Sequence, residues 1–215
     1  MPTTGLSSFV TRLFHKSLTK ALGIKINIVG TPNKDSTLFI SNHITWLDIL
    51  IIGQIIPTHF LSMIEVKSWP VAGWLATRAG TLYIHRGGKK SADQSLSEIS
   101  HALNEKHNVV IFPEGRTTDG TLRKFKPRLV QSAVDAKSKI QPIAIKYLNG
   151  DSIQANPAVL FHGDITFSQS LSKIMSQKSI AVDVAFLDSI SAADQLRSKI
   201  TSDAENQIRK QLNQE

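Results

Sequence analysis

The run Val109-Val110-Ile111-Phe112 has no polar position and stops at Pro113-Glu114-Gly115. A strand apolar on both faces belongs at the centre of a sheet that is covered on both sides. Around it, segments of strand character (24–29, 36–41, 58–63, 81–84, 140–147 and 180–187) alternate with segments of helical periodicity (6–22, 47–56, 91–106 and 191–212). That alternation predicts an α/β fold with a mostly parallel or mixed sheet of about seven strands flanked by helices. A further helix is expected to open at Ser68-Trp69-Pro70 and end near Gly80, and another to run to about Lys137. There is no internal repeat or linker, so one domain is expected over residues 24–215, preceded by a helical segment at 1–23.

Charge separates along the chain. Of 25 Lys/Arg and 17 Asp/Glu, residues 1–90 hold 10 and 3, residues 91–128 hold 6 and 5, and residues 129–215 hold 9 and 9. The basic surplus in the first part would draw an anionic partner: a phospholipid surface, a phosphorylated substrate, an acidic carrier protein or nucleic acid. Aromatic interleaving and a nucleic-acid-binding motif are absent, which argues against the last. Leu6, Phe9, Val10, Leu13, Phe14, Leu18, Ala21 and Leu22 recur at helical spacing, with Arg12, Lys16 and Lys20 off the stripe. The segment is not apolar enough to span a bilayer or serve as a signal peptide. It can lie in a membrane interface or pack on the domain, and the pattern fits both. No cysteine is present, which excludes disulfides and thiolate zinc sites.

Three strand exits carry polar equipment. After Ser36–Ile40 comes Asn42-His43-Ile44-Thr45-Trp46-Leu47-Asp48; after Thr81–Ile84 comes His85-Arg86; after Val109–Phe112 comes Glu114-Gly115-Arg116-Thr117. Five residues on a continuous helix set two side chains about 140° apart. His43 and Asp48 can therefore meet only if the histidine is in the loop and the aspartate in the first helical turn. A histidine held by a carboxylate through one ring nitrogen keeps the other free as a base. The same stretch also fits a capping box, with Thr45 as N-cap and Asp48 bonded back to it. Guanidinium forks and a glycine turn suit phosphate, although Arg86 also fits a solvated strand end and Glu114–Arg116 a surface ion pair. There is no G-x-S-x-G elbow, P-loop or H-E-x-x-H, and a metal held by His43, Asp48 and His85 would be strained.

Four blocks in order make the chain resemble the glycerophospholipid acyltransferases typified by 1-acyl-glycerol-3-phosphate acyltransferase. They are the N-H-x-x-x-x-D block Asn42–Asp48, the strand Gly80–Arg86, the block Phe112-Pro113-Glu114-Gly115-Arg116-Thr117, and the strand Ile140–Ile145 with Pro142. Glu65–Pro70 and Phe125–Arg128 are similar to the bacterial lyso-ornithine lipid acyltransferase subgroup. The resemblance implies transfer of an acyl group from acyl-CoA or an acyl carrier protein to the free hydroxyl of a lysophospholipid, lysophosphatidate first and lyso-ornithine lipid as the alternative. It implies His43 and Asp48 as the catalytic pair, and Arg86, Glu114, Gly115, Arg116 and Thr117 at the phosphate end. It also implies lipid contact at Trp46, Trp69, Trp74 and Pro142, no bound cofactor or metal, and a peripheral place on the cytoplasmic face of a bacterial inner membrane. Family members often carry a lysine where this chain has Met63. A non-catalytic lipid- or carrier-binding module is the reading outside enzymes.

Overall fold

The computed structural model describes residues 5–68, 73, 77, 81–84, 88–150, 152, 154–193 and 195–214, without the side chains of 5–7, 63, 84 and 88–92. Arg86, Trp69 and Trp74, and most of the helix expected before Gly80, lie outside the described residues; Gly73 and Thr77 are helical. The chain is α/β. Its strands are β1 (Ile24–Val29), β2 (Thr37–Ser41), β3 (His59–Met63), β4 (Leu82–Ile84), β5 (Val109–Ile111), β6 (Lys139–Tyr147), β7 (Ile180–Phe186) and β8 (Ile190–Ser191). They form one mixed sheet in the order β1-β7-β6-β2-β5-β3-β4, with β8 beside β6. From β6 to β4 the neighbours are parallel, β7 is antiparallel to β6, and β1 is parallel to β7.

The described α-helices are α1 (Gly5–Ala21), α2 (Leu47–Ile55), α3 (Gly88–Asn104), α4 (Gln131–Asp135), α5 (Phe167–Met175) and α6 (Arg197–Gln211). α1, α2 and α5 cover one face, where Leu47, Ile51, Ile52 and Ile174 pack on Phe39, Ile143, Ile145 and Tyr147. α3, α4 and α6 cover the other, with Ile99, Leu103, Ala133, Ile200 and Ile208 against Leu38, Ile40 and Ile140. The apolar β5 is buried at all three positions, as its lack of polar residues requires.

Three differences from the sequence reading have simple causes. The last helix starts at Arg197, not Ser191, because Ile190–Ser191 pairs with β6 as an eighth strand. α5 was not expected, although Thr166 caps it by accepting from the Gln169 N–H in a capping box written in the sequence. Pro142 is buried within the sheet, not at a lipid surface. Its carbonyl accepts the Leu187 N–H, so its missing N–H would have faced the same side. On that side β6 passes from β8, paired at 139–140, to β7, paired from 143 onward. The proline thus occupies the gap where no ladder bond is needed.

Candidate active site

β2 ends at Ser41 and the chain turns through Asn42–Trp46 into α2. The turn is tied to β6. Asn42 donates from Nδ2 to the Ile145 carbonyl (2.9 Å) and accepts the Ile145 N–H at Oδ1 (2.8 Å), taking the place of a backbone partner beyond the last paired residue. His43 Nδ1 lies 2.8 Å from Asp48 Oδ2. A carboxylate can only accept, so Nδ1 carries the hydrogen and Nε2 is left as the basic nitrogen. Nε2 has no hydrogen-bond partner among the described residues.

Asp48 is fully buried, and four donors surround its charge. Oδ2 also accepts the N–H groups of Ile44 (2.8 Å) and Thr45 (3.0 Å), and Oδ1 accepts the Tyr147 hydroxyl (2.7 Å). The two sequence readings therefore describe one carboxylate: it grips the imidazole and caps the helix start at once. Only half of the capping box forms, since Thr45 Oγ1 is buried without a partner among the described residues. Burial, with Asp48 beside it, raises the Tyr147 phenol well above its usual range, so it remains a donor. Nothing in the sequence pointed to Tyr147, which is 99 positions away.

The turn after β5 closes the site from the other side. Phe112 stacks on the His43 ring at 3.9 Å and 14°. Glu114, 4% exposed, turns inward: Oε2 accepts the His43 N–H (2.7 Å) and Oε1 the Arg123 N–H (3.0 Å). Its carboxylate therefore holds two loops and makes no ion pair with Arg116 among the described residues. Burial raises Glu114 to about 7 against the pull of those two N–H groups, with Asp48 adding to the rise. The Thr118 N–H fixes the His43 carbonyl (2.9 Å).

Gly115 adopts φ +77°, and the Lys126 amine lies 2.9 Å from where a Cβ there would stand, so a cation covers this turn. Arg116 is exposed, and the Thr117 hydroxyl donates to the Phe161 carbonyl. Trp46 donates from Nε1 to Ser170 Oγ (3.1 Å) and packs on Phe167, which docks α5 onto the loop. The result is an imidazole oriented by a buried carboxylate, its ring 16% exposed, beside an exposed cationic turn.

A family model described as Acyltransferase matches residues 25–146. Lyso-ornithine lipid O-acyltransferase of Pseudomonas aeruginosa is 34% identical over 209 residues, covering 96% of this chain and 79% of that protein. 1-acyl-sn-glycerol-3-phosphate acyltransferase of Neisseria gonorrhoeae is 31% identical over 174 residues, covering 80% and 68%. The fold is similar to the crystal structure of the 1-acyl-sn-glycerophosphate (LPA) acyltransferase from Thermotoga maritima, with TM-score 0.69, 14% identity and coverage of 96% and 78%.

Proposed function

The chain belongs to the acyltransferase family, and from that membership we propose that it moves a fatty acyl group from an acyl thioester to the free hydroxyl of a lysophospholipid, 1-acyl-sn-glycerol-3-phosphate first. The observation that carries the reading is the His43 Nδ1–Asp48 contact of 2.8 Å inside a carboxylate cage of four donors. His43 Nε2 takes the hydroxyl proton as that oxygen attacks the thioester carbonyl carbon. The C–S bond then breaks, and the departing thiolate takes the proton from the imidazolium. No covalent enzyme intermediate forms. Positioned base catalysis contributes roughly 10²–10⁴ in rate, and holding both reactants contributes more. Arg86, Arg116 and the Gly115 turn meet the acceptor's anionic end, and acyl-CoA or an acyl carrier protein brings the acyl group.

No described helix is long and apolar enough to cross a membrane. Phe9, Val10 and Leu13 on α1 are more than half exposed, and we place that face on the cytoplasmic leaflet. A second acceptor, lyso-ornithine lipid, is favoured by the 34% identity that extends over 96% of the chain. Both acceptors are compared on liposomes with each donor, for the natural sequence and His43→Ala. Lysophosphatidate turnover that vanishes in the variant is the expected result. Preference for the ornithine acceptor reassigns the head group, and transfer that survives His43→Ala removes the base.

A further inference from the structure

β1 and β7 run antiparallel to β6, so their first residues lie at the end of the sheet where β6 finishes. Tyr147 is opposite Val182, and Val182 is opposite Ile26. Because Tyr147 holds Asp48, the dyad shares this end of the sheet with the starts of β1 and β7. Here an open groove of about 510 Å³ is lined by Lys16, Lys20, Lys25 and Lys178, together with Thr19 and Gln54, and by no carboxylate. All four lysines are exposed, and among the described residues none is in an ion pair. Four converging cations without a counter-charge repel one another and focus a field that an anion relieves.

α1 shows which kind of anion fits. Phe9, Leu13, Lys16 and Lys20 recur at spacings of four, three and four, which puts them on one outward face. Phe9 and Leu13 are 62% and 53% exposed. The face thus runs from an apolar end to a cationic end, the sequence of environments a chain meets in passing from acyl region to head groups. Met175, three positions before Lys178, adds another large exposed apolar side chain.

We infer that this groove takes the phosphate head group of an anionic membrane lipid and thereby turns the dyad-bearing end of the sheet toward the leaflet. The inference rests on the lysolipid reading above, and its test reads binding, not turnover. Lys25 and Lys178 lie off α1, so Lys25→Gln/Lys178→Gln leaves the apolar helix face intact. Cosedimentation of the full chain with phosphatidylglycerol-containing vesicles should weaken about 30-fold in this variant, from the attraction each lysine contributes near an anionic surface. Binding to pure phosphatidylcholine vesicles should not change. A control pair of exposed lysines, Lys34→Gln/Lys210→Gln, should lose far less. Equal loss in the control pair overturns the groove in favour of net charge. If low-millimolar inorganic phosphate competes with the vesicles in the natural sequence but not in the variant, the ligand is a soluble phosphate and the membrane assignment falls. His43→Ala turnover is read separately, so failure of the catalytic reading stays distinct.

Discussion

Replacing Tyr147 by Phe removes one oxygen and leaves the ring's packing in place. The lost bond is 2.7 Å long, fully buried and made to an ionised carboxylate. Hydrogen bonds to charged groups are worth about 1.5–3 kcal/mol, and here Asp48 Oδ1 is left without that donor. We expect a stability loss of about 2 kcal/mol, which for a chain of this size lowers Tm by about 4–8 °C. A second effect is peculiar to this geometry. A carboxylate that loses one of its four donors is held less firmly, and the imidazole it orients is held less firmly with it. With that orientation loosened, kcat should fall while KM changes little. Urea denaturation with kcat and KM on liposomes makes the measurement. Unchanged stability would show that Tyr147 only packs, and lower stability with kcat unchanged would show that its hydroxyl does not serve to orient the imidazole.

Glu114 gives a stability signature. Its acid form is favoured in the fold, raised from 4.5 to about 7, so its contribution is full below pH 4.5 and is lost as pH rises through 7. Between pH 5 and pH 8 the natural sequence should lose about 2.5 kcal/mol relative to Glu114→Gln, read by chemical denaturation at both values; a constant difference would refute the burial argument. Gly53→Ala would set a Cβ 2.4 Å from Nδ1 of His15, a ring only 2% exposed. Overpacking of this kind costs about 1–3 kcal/mol, so α1 should become protease-sensitive while the sheet persists; unchanged protection of α1 would refute the packing.

The strand–helix alternation and the His43–Asp48 meeting were legible because each rests on local periodicity or short spacing. The face that α1 buries was legible only in part. Leu18 and Leu22 of the apolar stripe pack against the core, whereas His15 and Thr19 meet Gly53 and Gln54 on α2, and Phe9, Val10 and Leu13 remain outside. The place of His15 depends on the missing Cβ of Gly53, which lies far away in sequence. Glu114 was legible as a polar residue at a strand exit, but not its inward turn, which depends on two backbone N–H groups from other loops. Tyr147 reads as the end of a strand, and only the sheet order brings it to Asp48.

Pro142 limits how this sheet can misassemble. A one-residue slip of β6 would carry its ring out of the gap and against a strand that needs a donor, and would also flip Tyr147, five positions on, to the opposite face. The imino acid thus acts as a proofreading peg: the alignment that accommodates it is also the alignment that completes the carboxylate's shell, so a chain folded out of step forfeits the cage around Asp48 along with the ladder.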